Sequence, residues 1–307
     1  MTKEVEIICH SKHSQYQTEV ATVTFLAFPY RCIQELATHR TIHPSAIAGE
    51  EWQLVDTDYE AETQLVSINP FTENISRNSE SSRAVPTPML IERIMSDPYI
   101  PQWRKAQKGM QGGEQLCPGD RKKLRDSWLK HRDDCVALAE AFYLMGVCKQ
   151  DISALLLPFM RVDIIATGSG MAWQNFIRLR AHQDAHPDFA DYAYELEYLL
   201  QRSKPQILEP GEWHVPYGKE VTHKLFDTQA ILKYSALKCA RFSYKGALSK
   251  IELSVRDIVA KADKLLTDGH LSPFEHQAKA VEYHSRHNYR TLEMGWFNQR
   301  TLTEYPV

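Results

Sequence analysis

Two short segments of the sequence hold the side chains best suited to chemistry, and the first of them is a cationic, hydroxyl-rich cluster suited to binding an anion. The first consists of residues 38–40, Thr-His-Arg, and of residues 76–83, which follow after an interruption. Arg83 can give charge-assisted hydrogen bonds to a phosphate, and the hydroxyls of Ser81 and Ser82 add neutral donors. Taken alone, the serine-rich composition is more typical of a solvated loop, so the interpretation depends on the rest of the chain.

The second segment is residues 269–276, which read Gly-His-Leu-Ser-Pro-Phe-Glu-His. It brings an imidazole, a hydroxyl and a carboxylate close together. A third run, residues 171–182, has the pattern of a helix and ends near Arg180. The structural alternatives are a surface loop histidine at His270 and an exposed helix charge at Arg180.

Together these segments resemble the signature of the flavin-dependent thymidylate synthases. That signature reads Arg-His-Arg, two residues, Ser, one residue, Asn-Glu, one residue, Ser, one residue, Arg. After the Thr41-Ile42 spacer, residues 43–75 interrupt the match. The matching positions are His39, Arg40, Ser76, Asn78, Ser81 and Arg83.

Further segments are similar to the same family. Residues 238–244, Lys-Cys-Ala-Arg-Phe-Ser-Tyr, look like its Ala-Arg-Val-Ser-Tyr segment. Residues 272–278 look like its Ser-Pro-Phe-Glu-His segment. Residues 157–159 followed by residues 174–180 look like its Leu-Pro and Asn-Phe-Leu-x-Leu-Arg run, and residues 295–300 suit a divergent, phage-like branch. The resemblance spans about residue 20 to residue 302, and the joint occurrence of these pieces is specific.

The chain also departs from the family pattern. The Ser-Pro-Phe-Glu-His segment follows the signature instead of preceding it, which predicts a circularly permuted motif order. Thr38 replaces the first Arg, and Ser79 stands where the signature has Glu. Ala154 occupies the position of an Arg that helps to hold the nucleotide phosphate. Residues 43–75, with seven acidic residues and no Lys or Arg, are an acidic insertion. We hypothesise that this insertion is a lid or a subunit contact.

The resemblance implies an enzyme that binds FAD, uses NADPH and methylenetetrahydrofolate as co-substrates, and methylates C5 of dUMP. It also implies a homotetramer with shared active sites. His39 and Arg40 would contact the flavin near the folate path, and Arg180 would face the pyrimidine ring; these three are the expected catalytic residues. The expected nucleotide ligands are Ser81, Ser82, Arg83 and Arg180, and the expected FAD ligands are His39, Arg40, Asn175, Ser243, His270, Ser272 and Glu275.

Two alternatives to this function remain open. The same fold could modify another pyrimidine nucleotide, such as dCMP, UMP or a nucleotide destined for modified DNA, because Ala154 removes one phosphate ligand. The chain could instead be a flavin- or nucleotide-binding relative without catalysis, for which Thr38 and the acidic insertion argue.

The elements that must position these residues indicate an α+β fold, a sheet packed against several helices as in the family it resembles. We predict two strands within residues 4–30 and a helix over residues 121–145, whose apolar stripe consists of Leu124, Trp128, Cys135, Leu138, Phe142 and Met145. Pro187 predicts the first turn of another helix, and residues 99–120 predict a long irregular connection. Residues 203–226 also predict a loop, and Gly269 the end of a helix. No linker is evident, so residues 1–307 are expected to form one domain.

The bulk properties narrow the classes of function. The formal net charge of −3 argues against direct nucleic-acid binding, and no apolar run is long enough for a membrane span. We therefore expect a cytoplasmic protein. The six cysteines form no CxxC pair and predict no disulfide framework or metal site. His182 and His186 have zinc-compatible spacing, but Pro187 argues against one continuous helix, so a polar pair is favoured.

Overall fold

The computed structural model describes six stretches of the chain: residues 4–33, 86–107, 112–220, 227–240, 255–282 and 292–304. The acidic insertion at residues 43–75 lies outside them. So do several of the predicted site residues, which are His39, Arg40, Ser81, Ser82, Arg83 and Ser243.

The described residues form nine strands and eight α-helices in an α+β arrangement. The strands are β1 Glu4–His13, β2 Glu19–Pro29, β3 Arg104–Ala106, β4 Gly112–Gln115, β5 Arg161–Ser169, β6 Gln206–Leu208, β7 Trp213–His214, β8 Ala278–Ala280 and β9 Trp296–Asn298. The helices are α1 Thr87–Ser96, α2 Pro118–Leu144, α3 Lys149–Leu156, α4 Gly170–Arg180, α5 Pro187–Arg202, α6 Thr228–Ala240, α7 Val255–Thr267 and α8 Gln299–Glu304.

Strand β2 lies at the centre of the main sheet, whose strand order is β5-β2-β1-β6. It pairs antiparallel with β1 and with β5, whereas β6 pairs parallel with β1. Alternate side chains of β2 point to opposite faces. Ala21, Val23 and Phe25 face a layer of helices, while Val20 and Thr22 face a second sheet. Its nearly continuous apolar run is the pattern of a strand covered on both sides, and the prediction of two N-terminal strands is confirmed.

Helices α4 and α5 form the layer on one face of the main sheet. Phe189, Tyr192 and Leu196 lie on one face of α5 and are fully buried. The ring of Tyr192 packs edge-on against Phe25 with centroids 6.0 Å apart. Pro187 occupies the first turn of α5, as predicted. The helix that carries Asn175 and Arg180 is therefore anchored on the sheet through a large aromatic core.

The other face of β2 is covered by the C-terminal part of the chain. Strands β7, β8 and β9 form a three-stranded antiparallel sheet, in which the fully buried Trp296 packs with Val20 of β2 and Ala278 of β8. Beside it, α6 and α7 enclose Phe274. Residues 269–276 are thereby held near the N-terminal sheet, although they are far from it in sequence.

The buried face of α2 agrees only in part with the prediction. The helix forms as expected, and Trp128, Cys135 and Phe142 of the predicted stripe pack against the core. The most buried side chains of the helix are Val136 and Ala139, which lie beside that stripe. Leu138 on the predicted stripe is exposed, and at the end of the helix Leu144 is 85% and Met145 68% exposed. The reason is that α2 packs on one side only, with α1 and α3; the spacing of its apolar residues does not reveal which side.

Two connections that we predicted to be irregular contain strands. Residues 99–120 include the β3–β4 hairpin, and residues 203–226 include β6 and β7. In the sequence, the adjacent glycines Gly112 and Gly113 indicate a loop. A Cβ at Gly112 would lie 3.0 Å from the side chain of Arg104 on the paired strand, so this glycine permits close packing within the hairpin.

Candidate active site

Helix α4 places two of the predicted site residues. It begins where the Ser169 side chain accepts a hydrogen bond from the backbone N–H of Ala172, at 3.2 Å. Asn175 is half-buried, and its side-chain oxygen accepts from Arg178 at 2.7 Å. The half-buried Arg180 ends the helix, where a cation is favoured by the helix dipole, and its guanidinium lies 5.1 Å from the ring centre of Phe189.

A tight turn after α7 places the other described candidates. Gly269 has φ +76, and the N–H of His270 donates to the carbonyl of Leu265 at 2.8 Å, which closes the helix as predicted. His270 and Ser272 are half-buried. Their side chains are accessible in part, as a binding role requires.

Glu275 in the same turn has a different environment. Its side chain is fully buried, and its carboxylate accepts a charge-assisted hydrogen bond from the guanidinium of Arg300 in α8. Arg300 also pairs with Glu304 at 3.1 Å. A buried carboxylate is stable when it is paired in this way. The ion pair between Glu275 and Arg300 therefore holds residues 269–276 against α8.

A buried row of side chains joins the C-terminal segment to the main sheet. Ser11 Oγ lies 2.8 Å from His214 Nδ1, and His214 Nε2 lies 2.8 Å from Thr22 Oγ1. The row continues to Thr167 Oγ1 at 2.7 Å and from there to His276 Nδ1 at 2.9 Å. We call these five residues the histidine chain. Because Thr167 is in the strand that leads into α4, the histidine chain couples residues 269–276 to that helix.

Both imidazoles of the histidine chain are neutral at physiological pH. Burial lowers the pKa of His276 to about 3. Burial also lowers the pKa of His214 to about 3, with smaller effects from the nearby His10 and His276. A neutral imidazole has one donor and one acceptor nitrogen, which lets it bridge two hydroxyls. The sequence predicted no role for His214; only its position in three dimensions reveals one.

Strand β2 is distorted just before the chain reaches the first predicted site segment. Its pairing with β5 shifts register near Ala27, whose φ of +54 is unusual for a residue with a side chain. The N–H of Ala27 donates to Asp163 at 2.9 Å, and its carbonyl accepts from the hydroxyl of Tyr192 at 2.9 Å. Bulges of this kind redirect a strand next to functional sites, and residues 38–40 follow shortly afterwards.

A second buried cluster surrounds Asp188, and sequence reasoning missed it. Asp188 is 1% exposed. Its carboxylate pairs with the guanidinium of Arg31 at 3.2 Å and accepts a hydrogen bond from the hydroxyl of Tyr99. Burial first, and then the carboxylate, raise the pKa of Tyr99. From sequence, an Asp in the first turn of α5 indicates only a helix cap.

The two histidines considered as metal ligands do not share a helix. His182 lies in the turn after α4, where its Nδ1 accepts from the backbone N–H of Asp184 at 3.2 Å. His186 caps α5 through its side chain. Both imidazoles thus have local hydrogen-bonding roles.

The comparisons with known proteins agree with the motif analysis. A sequence model of the family described as thymidylate synthase complementing protein matches residues 3–206, about two thirds of the chain. The match ends before residues 269–276, so the permuted motif order stays a prediction. No curated protein and no solved structure matches the chain, and no helix in the described residues is long and apolar enough to cross a membrane. The chain belongs to the thymidylate synthase complementing proteins, the flavin-dependent thymidylate synthase family.

Proposed function

We propose that this protein is a FAD-dependent thymidylate synthase that transfers one carbon from methylenetetrahydrofolate to C5 of dUMP, with NADPH as reductant. The observation that carries the proposal is the family match over residues 3–206. That range contains residues 38–40, residues 76–83 and helix α4, which are the segments expected to hold the flavin and the nucleotide.

The described donors are compatible with a flavin nucleotide. Asn175, His270 and Ser272 are half-buried polar side chains that can hydrogen-bond to flavin heteroatoms or phosphates. Arg180 adds a cation at the end of α4. Glu275 is the exception, because its carboxylate is buried against Arg300. We therefore assign Glu275 to positioning the turn that carries His270 and Ser272.

The bound flavin would supply the hydride that completes the methyl group. The roles of the protein residues are electrostatic. Arg180 would stabilise negative charge that builds on the pyrimidine ring during one-carbon transfer. Arg83, with Ser81 and Ser82, would hold the nucleotide phosphate. His39 and its neighbour Arg40 would orient the flavin beside the path of the folate.

We further propose that the protein assembles as a homotetramer with shared active sites. Exposed apolar side chains at the end of α2 support an assembly, because Leu144 and Met145 are largely exposed. Apolar surface of this kind is typical of contacts between subunits. Light scattering of the purified protein tests the assembly, and a monomeric mass would refute it.

A second candidate is the same chemistry on a different pyrimidine nucleotide. The observation that favours it is Ala154, which stands where the family has a phosphate-binding Arg and whose short side chain is exposed on α3. Turnover of dUMP, dCMP and UMP should be compared at equal concentrations. Methylation of dUMP alone would exclude this candidate, whereas faster turnover of dCMP or UMP would replace the lead proposal.

The first test of the lead proposal is the visible absorption spectrum of the purified protein. We expect a flavin band, present on purification or after addition of FAD, that shifts when dUMP is added because both ligands occupy one site. Absence of a flavin band even with added FAD would refute the proposal. A band that dUMP does not shift would argue against dUMP as the acceptor.

A further inference from the structure

A basic pocket lies between the β3–β4 hairpin and the first turns of α2. Its volume is about 370 Å³, within the range typical of small-molecule sites. None of the predicted site residues lines it. Its principal side chains are Trp103 just before β3, Arg104 in β3, Gln115 in β4, and Arg121, Lys122 and Arg125 in α2.

The cations that line the basic pocket lack acidic partners within the described residues. Neighbouring cations that point elsewhere are paired: Lys105 with Glu114 at 2.9 Å, and Lys123 with Asp120 at 3.9 Å. By contrast, the guanidinium of Arg121 donates a hydrogen bond to the neutral side-chain amide of Gln115, at 3.2 Å. The pocket therefore concentrates positive charge that this part of the protein does not neutralise.

The location of these charges makes them unfavourable without an anion. Arg121 ends the first turn of α2, close to the positive end of the helix dipole, and Lys122 and Arg125 follow in the second turn. Cations there are destabilising, because the dipole favours negative charge at a helix N-terminus. Mutual repulsion of the three side chains adds to this cost. A bound anion would remove both unfavourable interactions.

Arg104 gives independent evidence for a missing partner. Its Nε is buried and has no hydrogen-bond partner in the described structure. The aliphatic part of its side chain lies across Gly112, so closely that a Cβ at position 112 would be 3.0 Å from it. Backbone packing thus holds a guanidinium in the pocket wall although one of its donors is unsatisfied, an arrangement that costs free energy in the empty protein.

We propose that the basic pocket binds a nucleoside polyphosphate, with the phosphates on Arg104, Arg121, Lys122 and Arg125 and the base against Trp103. Trp103 is half-buried beside Trp128, with ring centroids 6.3 Å apart, and an indole is a favourable surface for a nucleobase. The volume suits one nucleotide. The net charge of −3 argues against a nucleic-acid strand, which would need an extended basic surface.

The test is a binding titration of the full-length protein with each of four ligands: ADP, pyrophosphate, adenosine and oligothymidylate. Binding is measured by calorimetry and by tryptophan fluorescence. The key variant is R121Q/R125Q. Its control is K123Q/K130Q, which removes two positive charges from the same helix outside the pocket lining. Circular dichroism establishes that both variants are folded. A third variant, Trp103→Leu, separates recognition of the base from recognition of the phosphates.

We expect ADP to bind more tightly than pyrophosphate, and adenosine to bind weakly. R121Q/R125Q should weaken ADP binding at least about tenfold, because charge-assisted hydrogen bonds are lost, while the control changes it less than about threefold. Trp103→Leu should weaken ADP binding by about tenfold and leave pyrophosphate binding unchanged.

Three results would overturn the proposal. One is the absence of saturable ADP binding. Another is equal ADP affinity in R121Q/R125Q and its control, which would locate bound ADP elsewhere, including the flavin site. The third is tighter binding of oligothymidylate than of ADP through Arg121 and Arg125, which would identify a nucleic-acid surface. Each readout is independent of flavin binding and of dUMP turnover, so the proposal can fail separately from the proposed enzymatic function.

Discussion

The histidine chain beneath β2 and the basic pocket beside α2 are both rich in polar groups, but they differ in how those groups are paired. In the histidine chain all five side chains have hydrogen-bond partners, and both imidazoles are neutral. In the basic pocket, four cations line one space, and the buried Nε of Arg104 has no partner in the described structure.

The difference indicates what each region contributes. Buried polar groups must be satisfied within the protein because water cannot reach them, so the histidine chain is a structural coupling between the two sheets. The cations of the basic pocket keep much of their hydration, so their unfavourable position costs only a small part of the stability, and a bound anion can relieve it. Breaking the buried clusters should therefore reduce stability, whereas changes in the basic pocket should alter binding and leave stability almost unchanged.

The largest expected effect is the loss of the buried carboxylate at Asp188. Asp188→Ala leaves the hydroxyl of Tyr99 without its acceptor and the guanidinium of Arg31, which also lies 2.7 Å from His186 Nε2, without its counter-ion. A hydrogen bond to a charged group contributes about 1.5–3 kcal/mol, so the loss of two of them costs about 3–5 kcal/mol. We expect a loss of that size in the free energy of unfolding, measured by urea denaturation.

The control for this change is Asp191→Ala on the same helix. Asp191 is exposed, and its carboxylate accepts from Gln102 at 3.1 Å. Its loss should cost no more than about 1 kcal/mol. Equal effects of the two substitutions would contradict the structural role of the Asp188 cluster.

The next effect is smaller and concerns the middle of the histidine chain. Thr167→Val keeps the size of the side chain but leaves Thr22 and His276 each short of a hydrogen-bond partner. An unsatisfied buried group costs about 1–3 kcal/mol, so we expect a loss of about 2 kcal/mol by urea denaturation. Thr267→Val is the matched control, because the exposed hydroxyl of Thr267 bonds only the preceding turn of α7. If the Thr167→Val protein were as stable as this control, the histidine chain would contribute nothing to the free energy of unfolding.

The pH dependence of stability sharpens the comparison, because the histidine chain contains two buried imidazoles whereas no histidine among the described residues lines the basic pocket. His276 and His214 have folded pKa values of about 3 against an ordinary value of 6.5. Between these values the unfolded chain binds more protons, so stability is present above pH 6.5 and is lost as the pH falls. Each buried imidazole contributes about 1.4 kcal/mol per pH unit below 6.5.

The measurement is urea denaturation of the wild type and of His276→Gln at several values between pH 7 and pH 5. The variant should show a slope smaller by about 1.4 kcal/mol per pH unit. His182→Gln, the same substitution in an exposed turn, is the control variant. A steep slope retained in His276→Gln would mean that His276 is protonated in the folded protein.

The elements with strong local patterns could be predicted from the sequence. The two N-terminal strands follow from their β-branched runs, the start of α5 from Pro187, and the end of α7 from Gly269. The buried side of α2 could be predicted only in part: Trp128, Cys135 and Phe142 pack against the core, but the exposure of Leu138 depends on where α1 and α3 pack. The β3–β4 hairpin could not be predicted, because glycine is typical of turns but also occurs where two strands pack closely, as Gly112 does against Arg104.

The candidate site likewise has features that the sequence predicts and features that only the folded structure reveals. Motif spacing located Asn175 and Arg180 on α4 and His270 with Ser272 in the turn after α7. It could not reveal that His276 bonds Thr167, or that His214 bonds Thr22, because these partners are more than 100 residues apart in sequence. Composition also gave no sign of the basic pocket, since four cations among many charged residues become notable only when they line one space.

The smallest expected effect concerns the stability of the ligand-free protein. Lys122→Glu replaces a cation by an anion near the N-terminus of α2, where the helix dipole favours negative charge. The substitution should raise the free energy of unfolding by about 0.5 kcal/mol and should abolish binding of ADP in the basic pocket. Lys130→Glu, further along the helix, is the control: it should leave ADP binding unchanged and should lower the free energy of unfolding by about 0.5 kcal/mol, because it places a carboxylate four residues from Asp126 and from Asp134. The decisive measurement is urea denaturation of both variants without ligand. A loss of stability in Lys122→Glu would mean that the lysine is already paired in the folded protein, and the contrast between a satisfied interior and an unpaired basic pocket would fail at that residue.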